Sequence, residues 1–456
     1  MFLGRNTELN YLEQHYRKPG SQMIVVYGQK NVGRTTLLRE FAKGRPFVFL
    51  RGRSCSGKEQ RYLWSGELGD ILTNQDSYPS YSEMLSNIAK SSTEKVVLVI
   101  DEFQNVVKND PDFMKELTAL LRNQGQIQEM FVVLSSSSVG FVENSLVGKI
   151  GEAALSISGF LKVKELKFSH LQEYFSRYTI RECLEIYAIL GGFPGLWTHI
   201  DKNITVKENV QRLFLKKNSF LSREALFYVE NELRETSVYF TILESLASGR
   251  QKLNDLYLHT DFCRAKISVY IKNLMELELV EKVFSYDTDG KSNVQKGVYR
   301  IQNPLVNFYF NFIYPYSSKL ETMLPEEFYD AYIAPEFRFF VEPAMKKMCL
   351  EQMMQLNDAG ELPIRFVKSG EWVGKIGTID IVTQDEIGHT LLAMCNYEKK
   401  LLTCDDYEWL LFLAKKAKLV PLVVYMYTVG EFDDKLKKVA MSDTRIRLIS
   451  LKESMV

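Results

Sequence analysis

Residues 23–38 read Met-Ile-Val-Val-Tyr-Gly-Gln-Lys-Asn-Val-Gly-Arg-Thr-Thr-Leu-Leu. A short apolar run stops at Gly28, four residues lead to Gly33, and a segment able to form a helix begins at once. This is the spacing of a phosphate-binding loop, in which a strand delivers the chain to a glycine turn and the next helix presents its N-terminus to an anion. It implies a strand–loop–helix unit within an α/β sheet. The candidate nucleotide-binding residues are Gly28, Gln29, Lys30, Asn31, Val32, Gly33, Arg34, Thr35 and Thr36, with strand Met23–Tyr27 before them and helix Thr35–Lys43 after. The Thr35 hydroxyl is the expected ligand of a magnesium ion, and Thr36 supports the loop. One position departs from the pattern. Where lysine is expected the chain carries Arg34, a planar fork rather than a compact point charge. Lys30 is expected to face solvent. ATP with Mg²⁺ is the expected ligand, and hydrolysis is expected to be weak or absent.

The second constraint is Lys95-Val-Val-Leu-Val-Ile-Asp-Glu-Phe-Gln104. An unbroken β-branched run reads as a buried parallel strand, and it ends on two carboxylates. In that setting Asp101 is the expected Mg²⁺ residue and Glu102 the expected catalytic residue that orients or deprotonates the attacking water. Met130–Leu134 is a further strand and ends in Ser135-Ser136-Ser137-Ser138, either a sensor of the terminal phosphate or the cap of the next helix. Pro46–Leu50 is another strand, and Leu155–Ile157 and Leu166–Phe168 are read as short edge strands. The stretch from Leu50 to about Ser92 reads as polar, with Ser56-Gly57-Lys58 incidental. The first half is therefore a doubly wound α/β domain. A helix precedes it, with Asn6 as N-cap and Leu9, Leu12, His15 and Tyr16 on one face, for packing or for a nucleotide base.

Bulk properties limit the alternatives. A chain of 456 residues exceeds one ordinary core, which implies two to four domains. Lys+Arg and Asp+Glu are equal at 57 each, so any attraction to nucleic acid has to be local. The six cysteines are scattered without a C-x-x-C pair, which suits a reducing compartment and argues against zinc or a disulfide framework. The N-terminus lacks the pattern of a secretion signal, and no apolar run reaches the length of a membrane span. A cytoplasmic protein with no membrane partner is expected.

Downstream, Tyr239–Gly249, Lys252–Leu258 and Cys263–Leu277 read as three helices, followed by hairpin strands Leu279–Val283 and Gly297–Ile301 around Asp287-Thr288-Asp289-Gly290. That order is the order of a winged helix. Arg264, Lys266, Ser268 and Lys272 on the third helix, and Lys291 on the wing, are the candidate DNA-facing residues. The alternative is an internal packing and relay module, favoured by Glu276, Glu278, Asp287 and Asp289, which dilute the positive field. An aromatic connector follows at 304–312. The last segment reads as helix Phe337–Leu350, strands Ile376–Val382 and Thr390–Asn396, helix Asp405–Lys418 and strand Val420–Tyr427.

Several of these elements together resemble the archaeal-type ATPase family, also found in bacteria, of the STAND class within the AAA+-like P-loop NTPases. The match lies in Gly4, Arg5, Glu8 and Leu9, the loop at 28–36, Asp-Glu-Phe-Gln at 101–104, the serines at 135–138, and Gly191-Gly192-Phe193-Pro194-Gly195. The resemblance implies a P-loop core at 1–168, a helical lid at 169–232, a winged helix at 233–315 and a restriction-endonuclease-like domain at 325–456. It also implies an arginine after the glycine at 148, where this chain has Lys149. In the last domain it implies an acidic residue on one strand and E-x-K on the next. Asp380 fills the first position, with Glu336 or Glu342 as a further helix carboxylate, but Met394-Cys395-Asn396 replaces the second motif. A vestigial nuclease domain without its chemistry follows from that. The expected function is an ATP-binding STAND-type switch acting on an unidentified protein partner. The alternatives are a DNA-binding regulator and a metal-dependent nuclease.

Overall fold

Apolar β-branched runs without alternation form strands only where both faces are covered, and the N-terminal third obeys that rule. A computed structural model of the chain describes residues 2–72, 78–122, 128–231, 233–288 and 297–452. The chain divides into two units, one of residues 1–166 with 193–195, the other of residues 167–192 with 196–456.

In the first unit, helix α1 (Asn6–Tyr16) precedes strand β1 (Gln22–Tyr27) and helix α2 (Arg34–Phe41). Strand β2 (Phe47–Arg51), helices α3 (Gly57–Leu68) and α4 (Tyr81–Lys90), strand β3 (Val96–Asp101), helices α5 (Phe103–Asn109) and α6 (Asp112–Arg122) and strand β4 (Met130–Ser136) follow. The short helix α7 (Leu146–Ile150) and strand β5 (Gly159–Lys162) complete it. Among the described residues the sheet runs β2-β3-β4-β1-β5 and every pairing is parallel. Val96–Ile100 and Met130–Leu134 have no accessible surface. On one face Trp64, Tyr81 and Phe113 pack edge to face at 5.1–5.9 Å between ring centres.

Three expectations change here. Asn6 is the first helical residue, and Arg5 stands at the N-cap. Residues 151–156 form a 3₁₀ segment with Ala153 in the core and Leu155 85 % exposed, so Leu155–Ile157 is not an edge strand. Leu166–Phe168 is not a strand either, since Phe168 opens the next helix. The edge strand is β5, where Gly159 lies so close to α1 that a Cβ would strike the Tyr11 hydroxyl. The polar stretch before β3 holds α3 and α4, whose N-caps Ser56 and Ser80 accept from Glu59 and Glu83. On α1, Leu12 is buried, and Tyr16 packs edge-on against Phe41 and Phe131, which is the packing role.

The second unit opens with helices α8 (Phe168–Tyr174) and α9 (Ile180–Leu190), then helices at Val206–Phe214 and Phe220–Glu230. Thr179 with Glu182, and Thr205 with Glu208, form capping boxes that set two of these starts. Helices Thr236–Ala247, Leu253–Thr260 and Arg264–Glu276 lead to an antiparallel pair, β6 (Val280–Val283) and β7 (Val298–Ile301). The connector buries Phe308, Phe310 and Phe312, with Phe308 on Phe214 and Phe340. The expected helix at 337–350 is longer, Ala334–Ala359, and contains Pro343.

A second sheet follows. Its strands are β8 (Lys368–Val373), β9 (Thr378–Gln384), β10 (Thr390–Asn396), β12 (Pro421–Thr428) and β14 (Ile446–Ser450), ordered β14-β12-β10-β9-β8. Strands β11 (Leu401–Leu402) and β13 (Glu431–Phe432) pair separately. Helix Cys404–Lys416 packs Leu410 and Leu413 into the core of this sheet. Strand β9 is antiparallel to β8 and β10, while β12 is parallel to both β10 and β14. Segment 284–286 lies along the outer edge of β8: the Tyr286 N–H donates to the Glu371 carbonyl at 2.7 Å, and Ser285 Oγ accepts from the Val373 N–H at 2.9 Å. No helix among the described residues is long and apolar enough to cross a membrane.

Candidate functional site

Parallel pairing brings the ends of β1, β3 and β4 to one level. Val26 pairs with Ser135 and Ser135 with Asp101, so β4 stands between the glycine loop and the two carboxylates. The loop leaves β1 at Gly28, where a Cβ would collide with the Val163 carbonyl oxygen. It ends at Gly33, whose φ of 96° suits glycine and which caps α2. The loop is held from two sides. Arg5, 4 % exposed, donates from Nη2 to the Val32 carbonyl at 2.7 Å and pairs through Nη1 with Glu8 at 2.7 Å. Across from it, the Gly195 N–H donates to the Asn31 carbonyl at 2.9 Å, where a side chain at 195 would press on Asn31. Within the loop Lys30 is half-buried rather than solvated; Thr35 is half-buried and Thr36 exposed.

Arg34 is the centre of the site. Its side chain is 7 % exposed, and it turns toward the carboxylates. Nη1 donates to Ser135 Oγ at 2.8 Å and lies 3.5 Å from Asp101 Oδ1, while Nη2 donates to Glu102 Oε1 at 2.9 Å. Ser135 in turn donates to Asp101 Oδ1 at 2.7 Å. The other oxygen of Glu102, Oε2, accepts from Ser137 N at 3.1 Å, Ser137 Oγ at 2.6 Å and Gln104 Nε2 at 2.6 Å. Glu102 also sits at φ 52°, ψ 40°, a left-handed conformation that costs on the order of 1 kcal/mol for a residue with a side chain. The surrounding bonds hold it there.

Burial pushes the Asp101 carboxyl above its ordinary value, and Glu102 adds to this against the opposing pull of Arg34. Glu102 goes the other way. Burial would raise it, but the Arg34 guanidinium together with Ser137, Gln104 and Arg34 hydrogen bonds brings it below the ordinary carboxylate range. A carboxylate offers about four lone-pair positions, and four donors already meet Glu102. It is thus a poor proton acceptor. A divalent ion needs carboxylate oxygens free to face it, and Asp101 Oδ1 and both oxygens of Glu102 face Arg34, Ser135, Ser137 and Gln104 instead. The donor set as arranged does not fit magnesium. No group of three or more His, Cys, Asp or Glu side chains suited to a metal occurs among the described residues.

The remaining candidates lie elsewhere. Lys149 is exposed on α7. On helix Arg264–Glu276, Arg264 donates to Asn254 and covers the Tyr257 ring, and Lys266 is half-buried between the Phe262 and Tyr270 rings. Lys272 is exposed 3.8 Å from Glu276, Ser268 is exposed, and Lys291 falls outside the described residues. Asp380 on β9 meets a lysine: Lys346 Nζ lies 2.8 Å from Asp380 Oδ1, 3.4 Å from Glu342 and 3.7 Å from Glu371. Asp380 Oδ2 accepts from the Cys395 N–H at 2.8 Å, and Asn396 closes a turn through Lys399 and Thr428. Glu336 is exposed and Glu342 half-buried.

Arg5 as a clamp on the loop, Ser135 and Ser137 as partners of the carboxylates, and Lys346 were not assigned these roles from sequence. The paired Arg5–Glu8 spacing was a usable signal for the first. Lys346 offered only its one-turn spacing from Glu342, because Asp380 and Glu371 come from strands later in the chain.

Comparison with known proteins agrees with this architecture. Residues 17–136 match the family described as AAA domain, and residues 309–407 match one described as Archaea bacterial proteins of unknown function. The chain is 26 % identical over 441 residues to the uncharacterized protein MJECL04 of Methanocaldococcus jannaschii, covering 93 % of this chain and 94 % of that one. Over 45 residues it is 33 % identical to the uncharacterized ATP-binding protein MJ0423 of the same organism, covering 10 % of this chain and 76 % of the relative. Among solved structures it is similar in fold to the Walker-type ATPase PABY2304 of Pyrococcus abyssi, with a TM-score of 0.53, 17 % identity, and coverage of 68 % of this chain and 96 % of that one. The N-terminal unit is an α/β core with a phosphate-binding loop, and its residues 17–136 are similar to the AAA domain family.

Proposed function

We propose that the chain binds ATP at the loop Gly28–Thr36 and uses it as a switch, in the manner of STAND proteins, with little or no hydrolysis. The observation that carries the reading is the state of Glu102. The group placed to activate water is saturated by four donors and held below its ordinary proton affinity. Loop, helix N-terminus and buried Arg34 supply phosphate recognition, while general-base capacity is lacking. The relative named ATP-binding supports the nucleotide assignment.

The parts whose posture the nucleotide sets are, in this reading, the helical lid at 169–232, a winged helix at 233–315 and a restriction-endonuclease-like domain at 325–456. The winged helix acts here as a packing and relay module, a role supported by the hydrogen bonds of Ser285 and Tyr286 along β8. The C-terminal domain carries no nuclease chemistry in this account, since Asp380 is spent on Lys346 and Cys395. Calorimetric titration of the full chain with ATP tests the central assignment. Saturable one-site binding with a Kd of about 1 μM to 1 mM is expected, by analogy with the usual span of enzyme KM values. Absence of heat and of displacement of a fluorescent ATP analogue at millimolar ATP overturns it.

A further inference from the structure

The carboxylates at the end of β3 are already neutralised from within the chain. We propose that Arg34 is the resident cation of the nucleotide site, so that nucleotide triphosphate binds without a required divalent metal. The inference rests on the nucleotide reading above and goes beyond it by assigning the form of ligand taken, free rather than metal-complexed.

Asp101 and Glu102 present two negative charges at the end of one strand, and in a buried pocket such a pair demands a cation. Arg34 supplies it at 3.5 Å from Asp101 and 2.9 Å from Glu102. A lysine ammonium has its three donors at one point, so contacting a phosphate draws it off the carboxylates and leaves them to a metal. A guanidinium carries five N–H donors around a plane. Its Nη1 and Nη2 can stay on Ser135 and Glu102 while other N–H groups of the same plane face an anion. The stationary arginine therefore keeps the carboxylates occupied with nucleotide bound. Ser135, Ser137 and Gln104 reinforce this by fixing the Asp101 and Glu102 carboxylates beside Arg34.

The test measures affinity for ATP by displacement of a fluorescent analogue, in buffer with excess EDTA and in buffer with excess MgCl₂, on the native full-length chain and on Arg34→Lys. For the native chain the two affinities are expected to agree within about threefold, and for Arg34→Lys magnesium is expected to tighten binding by about tenfold or more. Loss of native binding by about tenfold in EDTA overturns the inference while leaving the nucleotide reading standing. A native chain that is insensitive to magnesium supports the inference even if the variant fails to fold. A native chain that binds in neither buffer overturns the nucleotide reading and this inference together.

Discussion

Among the described residues, buried Arg34 and half-buried Lys346 each meet a cluster of carboxylates. Arg34 is held by Asp101 and Glu102, and Lys346 by Asp380, Glu371 and Glu342. Burial opposes the charge on Lys346, yet Asp380, then Glu371 and Glu342, raise its ammonium above the ordinary lysine value. A raised folded-state value means that the stabilisation is whole at neutral pH and is lost only as strong alkali titrates the folded lysine. Lys346→Met strands Asp380, whose side chain is 13 % exposed, while Glu371 keeps Arg300 at 3.0 Å, and the expected loss is about 3 kcal/mol. Urea unfolding followed by tryptophan emission reads it, since Trp372 is packed in the same sheet. Adding Asp380→Asn to Lys346→Met recovers part of the loss; a single variant as stable as the native chain shows that the pair is not coupled.

At the scale of elements, β8 is an edge strand whose outer hydrogen bonds are taken by Ser285 and Tyr286. The Tyr286 ring is 7 % exposed, belongs to the core that includes Trp372 and Ile379, and its hydroxyl donates to Gln384 Oε1 at 2.8 Å. Tyr286→Ala removes this cover at a cost of about 3 kcal/mol. Hydrogen exchange is expected to speed up in Lys368–Val373 while Thr390–Asn396 keeps its protection; unchanged exchange in β8 contradicts the assigned role.

The same elements show what was legible in the sequence. Strands β1, β3, β4 and β10 were readable because strands buried on both faces are written as continuous apolar runs. Strand β8, Lys-Ser-Gly-Glu-Trp-Val, was not, because Trp372 alone among its residues is buried. Helices α3 and α4 went unread although both carried signals, the caps Ser56-x-x-Glu59 and Ser80-x-x-Glu83 and, on α4, the apolar face of Tyr81, Met84, Leu85, Ile88 and Ala89; α3 lacks such a stripe. The loop and the two carboxylates were found from spacing. Their mutual saturation was not, because it depends on β4 bringing Ser135 and Ser137 between them.

The whole molecule joins an α/β phosphate-loop unit, similar over residues 17–136 to AAA domains, with a second unit that ends in a mixed sheet, and the function proposed above has the first unit hold nucleotide rather than turn it over. Full-length protein in excess over radiolabelled ATP, quenched over a time course and separated into bound, free and hydrolysed label, measures both halves of that claim in one sample. The expected result is ATP that is bound and remains ATP, with turnover far below the 1 per second at the low end of ordinary enzymes, on the order of 0.01 per second or less. Rapid conversion of bound ATP to ADP, or no bound ATP at all, contradicts it.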